Sequence, residues 1–182
     1  MRRVVMWNLI SLDGYFEGAK KWDLDFLSIV WGPELEQLSI EQTGAAEMLL
    51  FGRVTYEGMA AHWPTAGGPI AEIMNSIPKV VFSRTLERAD WSNTRLVRGD
   101  AVEEVRRLKA ETGGDMYVFG SGELSAALIE RDLIDEFRLC VVPVLLGKGT
   151  PLFEQGSEKR LKLIDTRVLE TDGVILTYRL AA

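Results

Sequence analysis

Residues 115–130, DMYVFGSGELSAALIE, decide the fold of this chain. The apolar run Met116–Phe119 predicts a buried strand, and Gly120–Gly122 leads directly from it into a helix. Glycines at such a junction let the backbone approach a ligand, and the N–H groups at the positive end of the helix favour a phosphate. An ordinary strand-to-helix turn has the same pattern, so both interpretations stay open from this segment alone.

The segment does not match the dinucleotide fingerprint of a Rossmann fold. Ser125 stands where the third glycine would be, and no acidic residue ends a strand about twenty positions later. The sequence therefore predicts a cofactor fold of another kind.

Composition restricts the class of protein. With 182 residues, 47% of them hydrophobic, the chain is long enough for one good core and is expected to form one domain. The net charge of −6 argues against a nucleic-acid or anionic-membrane partner. One cysteine, Cys140, excludes an internal disulfide, and with a single histidine, His62, no metal site is expected. No signal peptide or long apolar run is found, so a cytoplasmic protein is expected.

Two other strand ends carry polar groups suited to an anion. Gly52, Arg53 and Thr55 follow the apolar run Glu47–Phe51, and Ser83-Arg84 follows Pro78–Phe82. Surface arginines and a capping threonine would explain each motif by itself. Since open α/β sheets bind ligands at the carboxyl ends of their strands, three such ends together indicate a ligand site.

The remaining elements indicate the fold class. Helical spacing is found at 34–44, 70–76 and 101–112, and further strands are predicted at 3–10, 94–97, 137–142, 161–169 and 174–180. Asp172-Gly173 between the last two strands is typical of a tight hairpin. The sequence therefore predicts an α/β fold, a single-domain mixed sheet flanked by helices with a C-terminal antiparallel hairpin.

A candidate catalytic acid lies in Trp22–Phe26, where two carboxylates stand among large apolar side chains. Such surroundings raise a carboxylate's proton affinity, which suits general acid catalysis. Helix capping by an aspartate is the simpler alternative. Asp25 is the residue for which a catalytic role is predicted.

Six motifs occur in the order seen in the dihydrofolate-reductase-like family. They are Ser11–Tyr15, Trp22–Phe26, Leu50–Tyr56, Val81–Thr85, Val118–Gly122 and Val142–Gly147. The match resembles most closely the branch related to the reductase domain of the bifunctional riboflavin-biosynthesis deaminase/reductase. It covers nearly the whole chain.

The resemblance implies a twisted, mostly parallel sheet with NADPH laid across the strand ends. It implies that three segments meet cofactor phosphates, and that residues on a mobile loop lie beside the nicotinamide. The implied cofactor-binding residues are Ile10, Asp13, Gly14, Gly52, Arg53, Thr55, Ser83, Arg84, Gly120, Ser121, Gly122, Glu123 and Leu124. Glu123 departs from the family pattern, because a basic residue can stand there in classical reductases.

The predicted function is an NADPH-dependent reduction of a C=N or C=O carbon in a small heterocyclic, pterin- or pyrimidine-like substrate. Asn8, Trp22 and Tyr56 are the predicted substrate-binding residues, by hydrogen bonding and stacking, whereas Trp7 is expected to pack in the core. A dinucleotide-binding regulatory or scaffold module without turnover is the alternative. A homodimer is expected through residues 137–144 and the terminal hairpin, which are apolar for a sheet edge.

Overall fold

The computed structural model describes residues 1–153 and 158–181. These residues form five α-helices and ten β-strands. The strands are β1 (Val4–Ser11), β2 (Tyr15–Glu17), β3 (Met48–Gly52), β4 (Lys79–Phe82), β5 (Thr94–Val97), β6 (Met116–Val118), β7 (Glu136–Val142), β8 (Thr150–Pro151), β9 (Leu161–Val168) and β10 (Val174–Leu180). The helices are α1 (Pro33–Gly44), α2 (Arg53–His62), α3 (Pro69–Ser76), α4 (Ala101–Ala110) and α5 (Gly122–Glu130), with a 3-10 helix at Asp25–Ile29.

Eight strands form one sheet in the order β5-β4-β3-β6-β1-β7-β10-β9. The six from β5 to β7 are parallel, and β10 pairs antiparallel with both β7 and β9. The predicted α/β fold with a mostly parallel sheet and a C-terminal antiparallel hairpin is confirmed. The hairpin turn is wider than predicted, because residues 169–173 connect its strands and Leu169 N–H donates to the Gly173 carbonyl (2.8 Å).

Helices cover both faces of the sheet, which explains why its central strands are mostly apolar. Side chains alternate along β1, so that Val5 and Trp7 face one core and Val4 and Met6 the other. Helices α1, α2 and α3 pack on the first core, and α4 and α5 on the second. These two cores fix where each strand ends, and therefore where the polar strand-end residues lie.

Two features of the sheet differ from the sequence-based expectation. Strand β7 lies between β1 and β10, so residues 136–142 are internal and not an edge. The segment after β1 contains a strand that the sequence did not predict, because β2 pairs with β8 in a separate two-stranded sheet. A three-residue and a two-residue strand are too short to leave a periodic signal in the sequence. No helix in the described ranges is long and apolar enough to cross a bilayer.

Candidate functional site

A cavity of about 830 Å³ lies at the carboxyl ends of the parallel strands. That volume falls within the usual range of small-molecule sites, roughly 300–1,000 Å³. Its walls come from the ends of β1, β3, β4 and β6, the first turns of α2, α4 and α5, and residues 16–27 beyond β1. The edge predicted from the strand-end motifs is therefore where the structure has its large cavity.

The Gly-Ser-Gly junction is held from two sides. Gly120 N–H donates to Asn8 Oδ1 (2.6 Å), and Ser121 N–H donates to Thr55 Oγ1 (2.9 Å). In turn, Ser121 Oγ accepts the N–H of Gly52 (3.0 Å). Both junction residues have left-handed backbone angles, with φ of 51° at Gly120 and 56° at Ser121. A Cβ at Gly120 would lie 3.0 Å from Thr55 Oγ1, so the turn requires glycine there.

This network changes the interpretation of three predicted ligand contacts. The backbone N–H groups of Gly120 and Ser121 already bond to Asn8 and Thr55, so these residues shape the cavity floor. Thr55 is buried and its hydroxyl accepts inside the protein. The residues that extend from this floor along α5 are Gly122, Glu123 and Leu124, all of which line the cavity.

Three helices begin at the cavity, and they differ in capping. No side chain caps α2 at Gly52 or α5 at Ser121. The N-terminus of α4 is capped by Asp100, whose Oδ1 accepts from the N–H groups of Val102 (2.8 Å) and Glu103 (3.1 Å). Since the positive end of a helix attracts anions, α2 and α5 offer two anion-binding positions, whereas a carboxylate already occupies that of α4.

The two predicted phosphate arginines lie at neighbouring strand ends, as β3 pairs with β4. Arg53 is exposed and contacts both carboxylate oxygens of Glu57 (3.1 and 3.2 Å), which offsets its charge. Arg84 is exposed and makes no ion pair with any residue that the structure describes. Ser83 Oγ accepts the N–H groups of Thr85 (3.2 Å) and Leu86 (2.9 Å), which fixes the turn that carries Arg84. Arg84 is therefore the more available cation.

Asn8 lies at the β1 end of the cavity and is 5% exposed. Its Oδ1 is committed to Gly120 N–H, which fixes the orientation of the side-chain amide. Its Nδ2 is buried and has no hydrogen-bond partner within the described part of the chain. A buried donor without a partner costs about 1–3 kcal/mol, and a ligand with an acceptor atom at this position would offset that cost.

The end of the cavity beyond β1 is apolar and aromatic. Its walls are formed by half-buried Phe16, Trp22, Leu24, Leu27 and Met59, which line it together with Trp7. Trp7 is 4% exposed and belongs to the core, as expected, although it also reaches the cavity wall.

Trp22 is held in an unusual backbone conformation, with φ of 62°. Its N–H donates to Glu17 Oε1, and its indole ring lies against Gly58 on α2. A Cβ at Gly58 would come closer than 3.0 Å to three carbons of the indole ring. The absent side chain at position 58 therefore makes room for the Trp22 ring in the cavity wall, and the role of Trp22 in substrate binding stays a prediction.

Glu17 is a site residue that the sequence analysis missed. It lines the cavity, is 9% exposed, and accepts from Trp22 N–H and from Thr150 Oγ1 (2.9 Å). No motif marks it, because its partner Thr150 is distant in sequence and both lie on the short strands β2 and β8.

Asp25 and Tyr56 do not belong to the cavity. Asp25 is exposed at the start of the 3-10 helix and does not line the cavity, so the apolar surroundings that suggested a catalytic acid are absent. Tyr56 is 3% exposed and packs between Phe51 and Trp91, and its hydroxyl accepts the N–H of Trp91 (3.0 Å). The prediction of Tyr56 as a stacking residue is wrong, because this side of α2 faces the core.

The loop predicted to lie beside the nicotinamide is also outside the cavity wall. Ile10 is buried in the core, and Gly14 does not line the cavity. The carboxylate of Asp13 accepts from the hydroxyl of Ser11 (2.6 Å) and from the N–H groups of Leu146 (3.1 Å) and Gly147 (2.7 Å). The Ser11 hydroxyl, followed by these N–H groups, lowers the pKa of Asp13. Asp13 thus joins two loops as an ionised carboxylate.

A metal centre receives no support from the described residues. Residues 1–153 and 158–181 contain no group of three or more His, Cys, Asp or Glu side chains that could hold a metal ion. Cys140 is buried, and burial raises its pKa to about 12. A reactive thiolate is therefore absent from this position.

Comparisons with known proteins agree with this fold. The model of the RibD C-terminal domain family matches residues 2–176. The uncharacterized protein YyaP of Bacillus subtilis is 30% identical over 183 residues, which is 97% of this chain and 94% of that protein. A Shewanella sp. PV-4 protein assigned to riboflavin biosynthesis superposes with a TM-score of 0.81 at 24% identity, covering 99% of both chains.

A protein with lower sequence identity has the same fold. Dihydrofolate reductase from Enterococcus faecalis, in complex with NADP(H) and RAB-propyl, superposes with a TM-score of 0.68 at 15% identity. The superposition covers 99% of this chain and 97% of that one. The predicted dihydrofolate-reductase-like fold is confirmed, and the chain belongs to the RibD C-terminal domain family.

Proposed function

We propose that the protein is a cytoplasmic NADPH-dependent reductase that delivers hydride to a C=N or C=O carbon of a small heterocyclic substrate. One observation carries the proposal: one cavity joins an aromatic, apolar end to two uncapped helix N-termini and to Arg84, which has no ion pair within the described residues. The helix N-termini and Arg84 suit an extended dianionic phosphate ligand, and the aromatic end suits a flat ring.

The residues present fit the cofactor. The starts of α2, at Gly52 and Arg53, and of α5, at Gly122 and Glu123, would hold its diphosphate, because neither N-terminus has a side-chain cap. Ser83 and Arg84 would hold the phosphate on the adenosine end. The buried Nδ2 of Asn8 and the apolar wall at the end of β1 suit a flat amide-bearing ring. When bound, NADPH would supply the hydride.

The protein's own contribution is to bind, orient and exclude water. Trp22, Phe16, Leu24 and Leu27 keep the reacting end apolar, which strengthens electrostatic interactions inside it. The hydrogen-bonded floor formed by Asn8, Thr55 and Ser121 is rigid, so it holds the two ligands in a fixed relative position.

A binding module without turnover is the second candidate. It is favoured by the position of Asp25 outside the cavity, since the predicted proton donor is then missing. Both candidates predict NADPH binding. They differ in single-turnover experiments, in which only an enzyme oxidises bound NADPH faster when pterins, pyrimidines or quinonoid compounds are added. Acceleration by one of these compounds would support the reductase.

We also propose a homodimer, and the edge strand β9 is the surface that supports it. All eight residues of β9 are exposed, including the apolar side chains of Leu161, Leu163, Ile164 and Val168. An exposed apolar edge strand pairs readily with another chain. Sedimentation at micromolar concentration tests the dimer, and a monomer at that concentration would contradict it.

The cofactor assignment is tested by titrating NADPH and NADH against tryptophan fluorescence. Arg84→Ala should weaken NADPH binding roughly tenfold to hundredfold and NADH binding little, since charge-assisted bonds contribute about 1.5–3 kcal/mol. The difference should shrink at higher salt, because Arg84 is exposed. Arg131→Ala, an exposed arginine beyond the far end of α5, is the matched control. Equal losses for both cofactors would show that the adenosine phosphate binds elsewhere.

A further inference from the structure

Asp100 brings a negative charge to the end of the cavity at which Arg84 brings a positive one. Both side chains are exposed and line the cavity. Arg84 follows β4 and Asp100 follows β5, and these two strands pair in parallel. Since paired strands lie about 5 Å apart, their carboxyl ends form one wall. Within the described residues, neither Arg84 nor Asp100 forms an ion pair, with each other or with another side chain.

Hydrogen bonds between the two strand ends fix this wall. The N–H of Ser83 donates to the Val97 carbonyl (3.0 Å), at the point where both strands end. The guanidinium of Arg98 donates through Nη2 to the Glu87 carbonyl (2.7 Å), which joins the segment after β5 to the turn after β4. Arg98 does not line the cavity. Arg84 is therefore the cation that a ligand meets at this wall.

The carboxylate of Asp100 has one oxygen available for a ligand. Its Oδ1 makes both capping bonds of α4, from the N–H groups of Val102 and Glu103. Its Oδ2 has no hydrogen bond within residues 1–153 and 158–181, and a carboxylate oxygen accepts about two. Asp100 can thus accept from a ligand without giving up the cap.

Glu123, the other exposed acid of the cavity wall, belongs to a different part of the cavity. It lies in the first turn of α5, after β6. Strand β6 is separated from β4 by β3, so this helix start lies roughly 10 Å from that of Arg84, across two strand spacings. Asp100 is therefore the acid that shares a wall with Arg84.

A ribose with free hydroxyls and a ribose with a phosphate would interact differently with this wall. In NADH the adenosine ribose has free 2′- and 3′-hydroxyls, and in NADPH a phosphate replaces the 2′-hydroxyl. A carboxylate accepts hydrogen bonds from ribose hydroxyls, whereas a guanidinium favours a phosphate. The charge of Asp100 would also repel the 2′-phosphate. The wall thus offers one favourable side chain to each dinucleotide.

We propose that Asp100 is a specificity-determining residue that lets the protein bind NADH as well as NADPH. This inference rests on the proposed reductase function and specifies its range of cofactors. Arg84 favours the 2′-phosphate, and Asp100 favours the 2′-hydroxyl. Since a charge-assisted hydrogen bond changes affinity by roughly tenfold to hundredfold, the two effects offset each other, and the wild type should prefer NADPH by less than about tenfold.

The test titrates NADH and NADPH against the tryptophan fluorescence of the wild type, Asp100→Asn and Asp172→Asn. Asparagine caps a helix as well as aspartate does, so Asp100→Asn keeps the cap of α4 and removes the charge. Asp172→Asn makes the identical change in the turn between β9 and β10, at the opposite end of the sheet. Asp172 is exposed, and asparagine tolerates its φ of 62°.

The two dinucleotides should respond to Asp100→Asn with opposite signs. NADH should bind about fivefold more weakly, because a neutral amide oxygen is a poorer acceptor, and NADPH about twofold to fivefold more tightly. The ratio of the two dissociation constants should therefore shift toward NADPH by roughly tenfold. The gain for NADPH should shrink at higher salt. A damaged helix would weaken both dinucleotides alike, so opposite signs identify a direct contact. Asp172→Asn should keep the wild-type ratio.

Two results would overturn this role of Asp100 and leave the proposed function intact. One is a wild-type preference for NADPH above about tenfold, and the other is a shift of the ratio in Asp100→Asn below about threefold relative to Asp172→Asn. If Asp100→Asn does not fold, Asp100→Ser, which keeps a capping oxygen, replaces it. If the wild type binds neither dinucleotide, the proposed function fails, and the role of Asp100 fails with it.

Discussion

Replacing Gly58 by alanine should damage the aromatic end of the cavity. Gly58 lies within α2, where alanine ordinarily stabilises a helix by about 1 kcal/mol relative to glycine. Here the added Cβ would come closer than 3.0 Å to three carbons of the Trp22 indole. Such a distance is not tolerated, so the ring must leave its position.

The size of the effect follows from what the ring loses. Trp22 is half-buried, so displacing it forfeits part of the roughly 2–3 kcal/mol that a large apolar side chain gains from burial. Against the helix gain of about 1 kcal/mol, the expected net loss is at most about 1–2 kcal/mol. Gly44→Ala is the control, because nothing lies within 4 Å of a Cβ at this last residue of α1. It should leave stability unchanged or raise it by up to about 1 kcal/mol.

Urea unfolding of both variants measures the difference, with equal m-values required for the comparison. Binding of quinaldine, a flat aromatic probe followed by quenching of tryptophan fluorescence, should weaken in Gly58→Ala and not in Gly44→Ala, whereas NADPH affinity should be kept in both. The reasoning would be refuted if Gly58→Ala were as stable as Gly44→Ala and bound the probe like the wild type. Trp22 would then have room for the methyl group, and its position would not define the cavity wall.

Stability should also depend on pH through Lys79, whose ammonium donates to three backbone carbonyls and whose pKa burial lowers to about 8. Since the unfolded chain holds this proton up to about pH 10.5, the unfolding free energy of the wild type relative to Lys79→Met should fall from pH 8 to 10.5 if the charged form is the one that the fold stabilises, and should rise, by up to about 3 kcal/mol, because burial instead favours the neutral amine. Subtracting the variant cancels the opposite trend from Cys140, which both proteins share. A difference between the two unfolding free energies that does not change with pH would contradict this expectation. Thr55→Val removes the acceptor of Ser121 N–H without changing the side-chain shape, so the free energy of chemical unfolding should fall by about 1–3 kcal/mol and NADPH binding should weaken. An unchanged affinity for NADPH would show that this hydrogen bond does not support the proposed cofactor site. Asp25→Asn should keep wild-type turnover on any substrate found, because Asp25 is exposed outside the cavity, and a loss above tenfold would return it to the mechanism.

The sheet was predictable because its central strands are short apolar runs bounded by glycine, proline or polar residues. Burial on both faces produces such runs, and β10 was located to the residue. The strand-end motifs led to the cavity for the same reason, because parallel strands place their carboxyl ends at one edge. Gly52, Ser83, Arg84 and Gly122 all line it.

The site residues that were misassigned or missed from the sequence share one physical cause. Asp25 and Tyr56 were assigned from neighbours in sequence, but a side chain on a helix is oriented by the face on which it lies. Tyr56 is three residues after Arg53, which lines the cavity, yet Tyr56 faces the core. Glu17 was missed because its environment is created by Thr150, which is brought close by pairing of β2 with β8. Local sequence contains no information on such contacts.

The position of β1 in the sheet has a consequence for synthesis of the protein. Its partners β6 and β7 begin more than 100 residues later in the chain, as Val4 pairs with Met116 and Val5 with Glu136. Until those segments leave the ribosome, the apolar strand Val4–Ser11 has two unpaired edges. The Asn8–Gly120 hydrogen bond also forms only at this late step. The nascent chain therefore cannot assemble the cavity floor during most of translation, and β1 keeps both edges open to pairing with other chains in that interval.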